Sequence, residues 1–233
     1  MRAVLGIDTA DRTAGVAVVV EGALACEVVV ATGPRQSRRL TALIEEALAE
    51  AGVRRDELAA VAVTAGPGGF TGVRVGVAAA KGLALALGIP VVGVSTLEAL
   101  AGRMGPWPGV VAPVLDAKKR QVYAGAWDGL TGEPLVPPAA WDPGAFARAV
   151  ADLGRPAVFL GGGVTPYREV FREALGERYH EAPPEHGTVP PGRVALLGWA
   201  RWQRGEAVPP ETLVPTYLRR SEAEEREAGR RGS

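Results

Sequence analysis

Residues 59–87 read AAVAVTAGPGGFTGVRVGVAAAKGLALAL, and they predict a strand, a turn and a helix in direct succession. Six of the first seven residues are apolar, as is typical of a buried strand. The glycines and the proline of GPGGFTG (66–72) then form a turn, and the small or apolar residues that follow predict a helix. Gly88 ends this helix, and Pro90 prevents its continuation into the next apolar run, 90–94. Strand, helix and strand in this order predict a right-handed parallel β-α-β unit.

The residues before this unit predict three antiparallel strands. The run 2–7 (RAVLGI) is short and apolar, and a polar break that starts at Asp8 follows it. The runs 14–20 and 23–30 are rich in β-branched residues, and the two residues between them include a glycine, which is typical of a hairpin. A three-stranded meander beside the parallel unit makes a mixed five-stranded sheet.

An amphipathic helix is predicted between the meander and the parallel unit. Its apolar side chains recur at helical spacing, its charged side chains lie on the other faces, and Gly52 ends it. The apolar positions are Leu40, Leu43, Ile44, Ala47, Leu48 and Ala51.

The chain is predicted to form two lobes. The Gly- and Pro-rich stretch 102–109 (GRMGPWPG) marks a boundary, so we place an N-terminal lobe at 1–104 and a C-terminal lobe at 105–220. The second lobe is predicted to contain strands at 110–115, 120–127 and 157–160, a Pro-rich loop at 134–143, and helices at about 144–152, 166–175 and 193–204. The last of these helices could pack back on the first lobe. Residues 221–233 are highly charged and lack a hydrophobic anchor, which predicts a disordered tail.

The composition argues against a nucleic-acid-binding, disulfide-bonded or membrane-associated protein. The 233 residues carry 26 basic and 26 acidic side chains, so no overall field draws the chain onto nucleic acid or an anionic membrane. Cys26 is the only cysteine, which excludes an internal disulfide, and we interpret it as a small apolar strand residue. The N-terminus has no signal-peptide pattern, and the longest apolar stretch, 75–87, is interrupted by Lys81. We therefore expect a cytoplasmic protein that does not associate with membranes.

The sequence contains no recognisable catalytic or metal-binding motif. It has no GxSxG and no HExxH, and GPGGFTG lacks the Lys-Ser/Thr pair of a P-loop. His180 and His186 are the only histidines; they flank a Pro-rich loop, and no further Cys, His or acid cluster is arranged in the sequence to complete a metal site. We predict no catalytic residue and no metal site. GPGGFTG itself is either a tight turn that feeds a closely packed helix or a phosphate cradle of backbone N–H groups.

The helix after GPGGFTG is apolar on almost all sides, so neighbours must cover almost all of it. Its only charged residues, Arg74 and Lys81, are seven positions apart and share one stripe with Ala78 and Leu85. A sheet covers one side of such a helix, and the first helix covers part of the rest. The remainder is apolar enough to be an association surface, and we predict that the stripe faces a partner.

Several segments together resemble the TsaB (YeaZ) family, in matching order across nearly the whole chain. GPGGFTGVRVG is the most specific of them, and the others are LGIDTADRTAGVAV, GIPVVGVSTLEALA, VLDAKKRQVYAG and PTYLR. The resemblance implies an α/β protein with the actin-like ATPase (ASKHA, ribonuclease H-like) fold, in two lobes that each hold a mixed sheet flanked by helices. Family members are degenerate paralogues of TsaD, which transfers a threonylcarbamoyl group to the adenosine next to the tRNA anticodon.

The resemblance also implies a function without catalysis. Such a protein is a scaffold that pairs with TsaD, recruits the ATPase TsaE, forms a homodimer in isolation and meets tRNA only through the complex. The transferase's HxxxH metal pair is absent from this chain. Family members often carry His followed by Ser or Thr where Gln36 and Ser37 stand here, which is a departure at the start of the first helix.

The resemblance places the partner interface on the helices at 38–51 and 71–87. The contact residues that we predict there are Leu40, Leu43, Ile44, Arg74, Ala78, Lys81 and Leu85.

A vestigial nucleotide pocket is a second expectation. Asp8 follows the first strand, where actin-like ATPases place the acid that organises magnesium, and Thr9 is next to it. Gly161, Gly162 and Gly163 follow a later strand, where they could receive an adenosine or phosphate group. Binding of ATP or ADP here would suit an alternative function, a weak ATPase or small-molecule kinase. Ordinary turns explain the same residues, and no other cofactor is predicted.

Overall fold

The computed structural model of the chain describes residues 1–11, 13–31 and 36–218. The predicted tail at 221–233 and the side chains of Gln36 and Ser37 lie outside the described residues. Within the described residues the chain forms two five-stranded sheets flanked by helices, which confirms the predicted α/β fold class.

The first sheet is the predicted mixed sheet. Its strands are β1 (Ala3–Asp8), β2 (Thr13–Val20), β3 (Ala23–Ala31), β4 (Leu58–Gly66) and β5 (Val91–Ser95), and their spatial order is β3-β2-β1-β4-β5. The first three strands form the antiparallel meander, whereas β4 runs parallel to β1 and β5 runs parallel to β4. Cys26 lies half-buried on β3, at one edge of the sheet.

The second sheet repeats the topology of the first. Its strands are β6 (Val110–Lys118), β7 (Gln121–Asp128), β8 (Pro134–Trp141), β9 (Ala157–Leu160) and β10 (Tyr179–Glu181), in the order β10-β9-β6-β7-β8. Three antiparallel strands are again followed by two parallel ones. The prediction of a loop at 134–143 is wrong for most of that range, which is strand β8. Because β8 is an edge strand, one side of it needs no N–H donors and tolerates prolines.

Six α-helices connect and cover the sheets in the described residues. They are α1 (Gln36–Glu50), α2 (Phe70–Leu87), α3 (Thr96–Ala101), α4 (Pro143–Ala151), α5 (Val164–Leu175) and α6 (Pro191–Gln203). Gly88 adopts the left-handed conformation at the end of α2, with φ 66°, as a C-terminal glycine does.

The helices α1 and α2 cover one face of the first sheet. Leu43 of α1 and Val77 of α2 lie in a shared core with Ile7 and Val16 of the sheet. Each of these side chains is at most 4% exposed, and full burial of an aliphatic side chain contributes roughly 1.5–3 kcal/mol. This core fixes the orientation of α2 and therefore decides which of its faces stays outside.

The helix α6 covers the opposite face of the first sheet. Val194, Ala195 and Trp199 of α6 share a second core with side chains from that face. The helix approaches so closely that a Cβ atom on Gly198 would overlap the side chain of Ala62 on β4. Pro191 stands in the first turn of α6, where its missing N–H costs no hydrogen bond.

Candidate functional site

The outward face of α2 carries the stripe predicted from the sequence. Ala78 is exposed, and the side chain of Leu85 is 59% exposed. Gly82, one residue after Lys81, has no atom within 4 Å of the place where a Cβ would stand. By length and composition α2 could also cross a membrane, but Val77 and the other residues of its inner face lie in the core of the first sheet.

The predicted contact residues on α1 need a correction. Leu40 and Leu43 are each 2% exposed and Ile44 is 7% exposed, because all three lie in the chain's own core. Their i, i+3, i+4 spacing identifies the face of α1 that the parent sheet covers. The expectation that these three side chains contact a partner is therefore wrong, and a partner that reaches α1 would meet its opposite, charged face.

A segment that the sequence did not mark as functional lies beside α2. We call residues 206–218 the C-terminal strap. Val208 exchanges two backbone hydrogen bonds of 2.9 Å with Val91 of β5, and the Thr216 N–H donates to the carbonyl oxygen of Ala65 at 2.6 Å. The strap thus continues the first sheet at the β5 edge.

The strap also holds both charged residues of the α2 stripe. Lys81 Nζ donates to the carbonyl oxygens of Glu211 at 3.1 Å and Leu213 at 2.9 Å. Arg74 Nε donates to Tyr217 Oη at 2.8 Å, and its guanidinium lies 3.4 Å from the centre of the Phe70 ring. These cations are therefore used within the chain, which leaves the small and apolar residues of the stripe as its unoccupied part.

Asp8 is fully buried at the carboxyl end of β1. Its Oδ1 accepts hydrogen bonds from Thr64 Oγ1 at 2.7 Å and from the Ala10 N–H at 3.2 Å. Its Oδ2 is buried without a hydrogen-bond partner among the described residues. Burial raises the pKa of Asp8 to about 7, against the lowering effect of the two hydrogen bonds, and the nearby charge of Asp11 adds to the rise.

GPGGFTG packs against the residues that follow Asp8. Thr9 Oγ1 donates to the carbonyl oxygen of Gly72 at 2.7 Å, and a Cβ on Gly76 would overlap Thr9 Oγ1. The Gly69 N–H donates to the carbonyl oxygen of Ala10 at 2.7 Å. This geometry favours the tight turn over the phosphate cradle, because a protein carbonyl already accepts from that N–H.

The glycine triplet faces the same turn from the second lobe. Gly161 has φ 104°, a Cβ there would overlap the Val114 carbonyl oxygen, and Gly163 donates to that oxygen at 2.9 Å. A Cβ on Gly162 would stand 3.9 Å from Asp11 Oδ2. The two halves of the predicted nucleotide pocket are thus close together, but Asp8 and Thr9 have no exposed surface. In this arrangement solvent does not reach Asp8, and a carboxylate oxygen of Asp11 lies near Gly162. Binding of ATP or ADP at this place stays a prediction.

The turn between β6 and β7 has an unusual backbone. Lys118, Lys119 and Arg120 have φ values of 61°, 50° and 59°, which is uncommon for residues other than glycine. Asp116 Oδ2 pairs with Lys118 Nζ at 2.7 Å. The turn lies beside the glycine triplet, since a Cβ on Gly163 would stand 3.0 Å from the Asp116 nitrogen. Among the described residues, no group of three His, Cys, Asp or Glu side chains is arranged to hold a metal ion.

Comparison with known proteins agrees with this architecture. A family model described as TsaD, tRNA N6-adenosine threonylcarbamoyltransferase, matches residues 32–227. The tRNA threonylcarbamoyladenosine biosynthesis protein TsaB of Bacillus subtilis is 31% identical over 223 residues, which cover 95% of this chain and 96% of that protein. The solved structure of YeaZ from Pseudomonas aeruginosa has a TM-score of 0.78 at 29% identity and covers 93% of this chain and 100% of that chain.

A more distant structure shares the fold alone. The ROK hexokinase of Thermus thermophilus has a TM-score of 0.50 at 19% identity, and the match covers 86% of this chain and 99% of the hexokinase. That likeness supports the actin-like ATPase fold, with its two mixed sheets of equal topology. The chain belongs to the TsaB (YeaZ) family of tRNA threonylcarbamoyladenosine biosynthesis proteins.

Proposed function

We propose that the chain is a non-catalytic scaffold subunit of the tRNA threonylcarbamoyladenosine machinery. It pairs with the transferase TsaD through the outward face of α2, recruits the ATPase TsaE, and forms a homodimer when TsaD is absent. The exposed small and apolar face of α2 is the observation that carries this proposal. Leu85 and Phe70 are 59% and 46% exposed, at opposite ends of that helix.

The shape of this face suits a partner helix. Ala78 is exposed and Gly82 has open space beside it, so another helix could approach the α2 backbone closely. Removal of the apolar area from water would drive the association. Arg74 and Lys81 contribute little to this association, because the C-terminal strap already accepts their hydrogen bonds.

Two further features support the scaffold role. Asp8, which stands where an actin-like ATPase places its magnesium-organising acid, is sealed from solvent. The equal numbers of acidic and basic residues also favour contact with tRNA through the complex rather than by this chain alone.

The substitution Ala78→Glu tests the scaffold proposal. It would bury an unpaired carboxylate between two helices, a change whose cost is about 3–5 kcal/mol, which corresponds to roughly a hundredfold or greater loss of association with TsaD. The variant should fold normally, because Ala78 is exposed in the single chain. Sedimentation of the variant alone and with TsaD, together with its circular dichroism, measures both effects.

Val170→Glu is the matched control. Val170 lies 36% exposed on α5 of the second lobe, so the same charge is added to a helix away from α2. We expect this control to bind TsaD as the unmodified chain does. Normal association of Ala78→Glu would place the interface elsewhere, and unfolding of that variant would show that the stripe belongs to the core.

The alternative function, a weak ATPase or small-molecule kinase, requires a ligand to reach Asp8. An assay of ATP turnover by the isolated chain distinguishes the two functions. The scaffold proposal expects no appreciable hydrolysis, whereas turnover that disappears in Asp8→Ala would favour the enzyme.

A further inference from the structure

The exposed apolar surface of α2 continues onto the C-terminal strap. In the part of the chain that the structure describes, ten large apolar or tyrosine side chains are exposed, and half of them belong to α2 or to the strap. They are Phe70 and Leu85 of α2 and Val208, Val214 and Tyr217 of the strap. Their concentration on two neighbouring elements makes them a patch rather than the single apolar residues that any protein surface carries.

We propose that the strap is the second part of the surface that contacts TsaD, so that the transferase covers α2 and the strap together. This inference rests on the proposed function, in which the chain pairs with TsaD through α2. On this side of the first sheet, α1 lies over β2 and β3, α2 lies over β4, and the strap follows the β5 edge. A partner that lies on α2 therefore has the strap on one side and α1 on the other.

The size of the α2 face requires a second contact element. The helix has 18 residues. Its outward stripe is therefore about 27 Å long and about 10 Å wide, which is roughly 300 Å². A stable interface takes about 800 Å² from each partner. The outward stripe of α2 supplies less than half of that area, so a neighbouring element must supply the rest.

The apolar surface extends toward the strap and not toward α1. Glu45, Glu46 and Glu50 lie on the exposed face of α1, whereas the apolar side chains of that helix pack on the sheet. Removal of these carboxylates from water would cost free energy. On the other side of α2, the side chains of Val208 and Val214 are 36% and 68% exposed. A partner that buries apolar area beside α2 therefore finds it on the strap.

Two grooves join the exposed side chains into one surface. A groove of about 500 Å³ lies between the end of α2 and the strap, and Leu85 and Val208 are among its lining residues. A second groove of about 560 Å³ lies between β5 and the strap, and Val208 and Val214 are among its lining residues. At the start of α2, the rings of Phe70 and Tyr217 are 5.6 Å apart. The surface is therefore continuous along the whole of α2, and side chains of a partner can enter both grooves.

The strap has a defined position on the first lobe. Leu213 is buried, and a Cβ on Gly93 of β5 would stand 2.9 Å from its Cδ1 atom. Gly66 has φ 116°, and a Cβ there would overlap the Thr216 carbonyl oxygen, so the strap lies against the first glycine of GPGGFTG. A surface that is already packed in the single chain loses less conformational entropy on association.

Val214→Glu tests the inference, and Leu130→Glu is its matched control. Leu130 lies between β7 and β8 in the second lobe and is 66% exposed, close to the 68% of Val214. Titration calorimetry with TsaD measures the affinity of each variant. Val214→Glu should weaken binding about tenfold or more, because the new carboxylate loses water in the interface. Leu130→Glu should bind as the unmodified chain does, and both should keep the melting temperature of the unmodified chain.

Val214→Ser keeps the test valid if the charged variant fails to fold. It removes apolar area without adding a charge, and it should weaken binding about threefold or more, whereas Leu130→Ser should not. Equal affinity of the Val214 variant and its Leu130 control for TsaD would overturn the inference. A loss that is limited to the homodimer or to TsaE would also overturn it, since the strap would then serve another partner.

Ala78→Glu in the same titration separates this inference from the function on which it rests. If Ala78→Glu loses binding while Val214→Glu binds normally, the strap is outside the interface and the scaffold proposal stands. If both variants bind normally, the proposed contact through α2 fails together with the inference. Loss of binding in both variants, with normal binding of Leu130→Glu, is the result that we expect.

Discussion

At the scale of a single residue, the carboxyl group of Asp8 makes the stability of the folded chain depend on pH. Burial raises its pKa from 3.8 to about 7, whereas in the unfolded chain it titrates at its ordinary value. Between these pH values the folded chain holds a proton that the unfolded chain has released. The contribution of Asp8 to stability is therefore fully present below pH 3.8 and is lost as the pH rises toward about 7.

The variant Asp8→Asn should remove this pH dependence. Asparagine stays neutral, and its Oδ1 can still accept the hydrogen bonds from Thr64 and Ala10. Relative to the unmodified chain, the variant should gain stability as the pH rises through the window, by up to about 1.4 kcal/mol per pH unit. Urea unfolding of both proteins across the window measures the difference, and stability curves that stay parallel would contradict the assignment.

At the scale of elements, the contact between α2 and the end of β1 depends on glycine. The Thr9 hydroxyl lies over α2 and donates to the Gly72 carbonyl oxygen at 2.7 Å. A side chain on Gly76 would occupy the place of that hydroxyl. The glycines of this helix therefore have two different roles, because Gly76 faces the sheet at close range while Gly82 faces open space.

Alanine at these two positions should have opposite effects. Gly76→Ala forces Thr9 away and should lower the free energy of unfolding by about 1–3 kcal/mol, as overpacking does. Gly82→Ala meets no atom within 4 Å and should raise it by roughly 0.5–1 kcal/mol through helix propensity. Chemical denaturation of the two variants provides the comparison. Equal changes would show that the close contact at Gly76 is not what constrains this helix.

At the scale of the whole molecule, charge is balanced but not evenly distributed. The sequence has 26 acidic and 26 basic residues, and three consecutive cations lie in the exposed turn Lys118–Arg120. Lys118 is already paired with Asp116. A single short turn provides few phosphate contacts compared with those that a tight RNA-binding protein makes.

The isolated chain should therefore bind tRNA weakly. Neutralisation of phosphates supplies most non-specific affinity, and this molecule has no net positive charge to provide it. A gel-shift assay at physiological salt should show no binding at sub-micromolar concentration, whereas the complex with TsaD should bind. Tight binding by the chain alone would contradict the proposal that tRNA is met only through the complex.

Local pattern was enough to predict most of the elements. The periodic spacing of apolar residues, with Gly and Pro at the breaks, predicts the meander, α1 and the β4-α2-β5 unit. Both signals depend only on residues a few positions apart in the sequence. The same information placed the two halves of the nucleotide pocket at turns after strands. The strand β8 was missed because its prolines are tolerated only through its place at a sheet edge, which is not a local property.

Other features required the packed molecule. The helical spacing of Leu40, Leu43 and Ile44 shows that this face of α1 is covered, but it does not show by what. In the structure the first sheet covers it. The contact of Lys81 with Leu213 joins residues 132 positions apart, so no local pattern contains it. The burial of Asp8 also depends on the tertiary structure. An acid at the end of a strand is common in sequence, and the packing of α2 and Thr64 around Asp8 excludes water from its carboxyl group and raises its pKa.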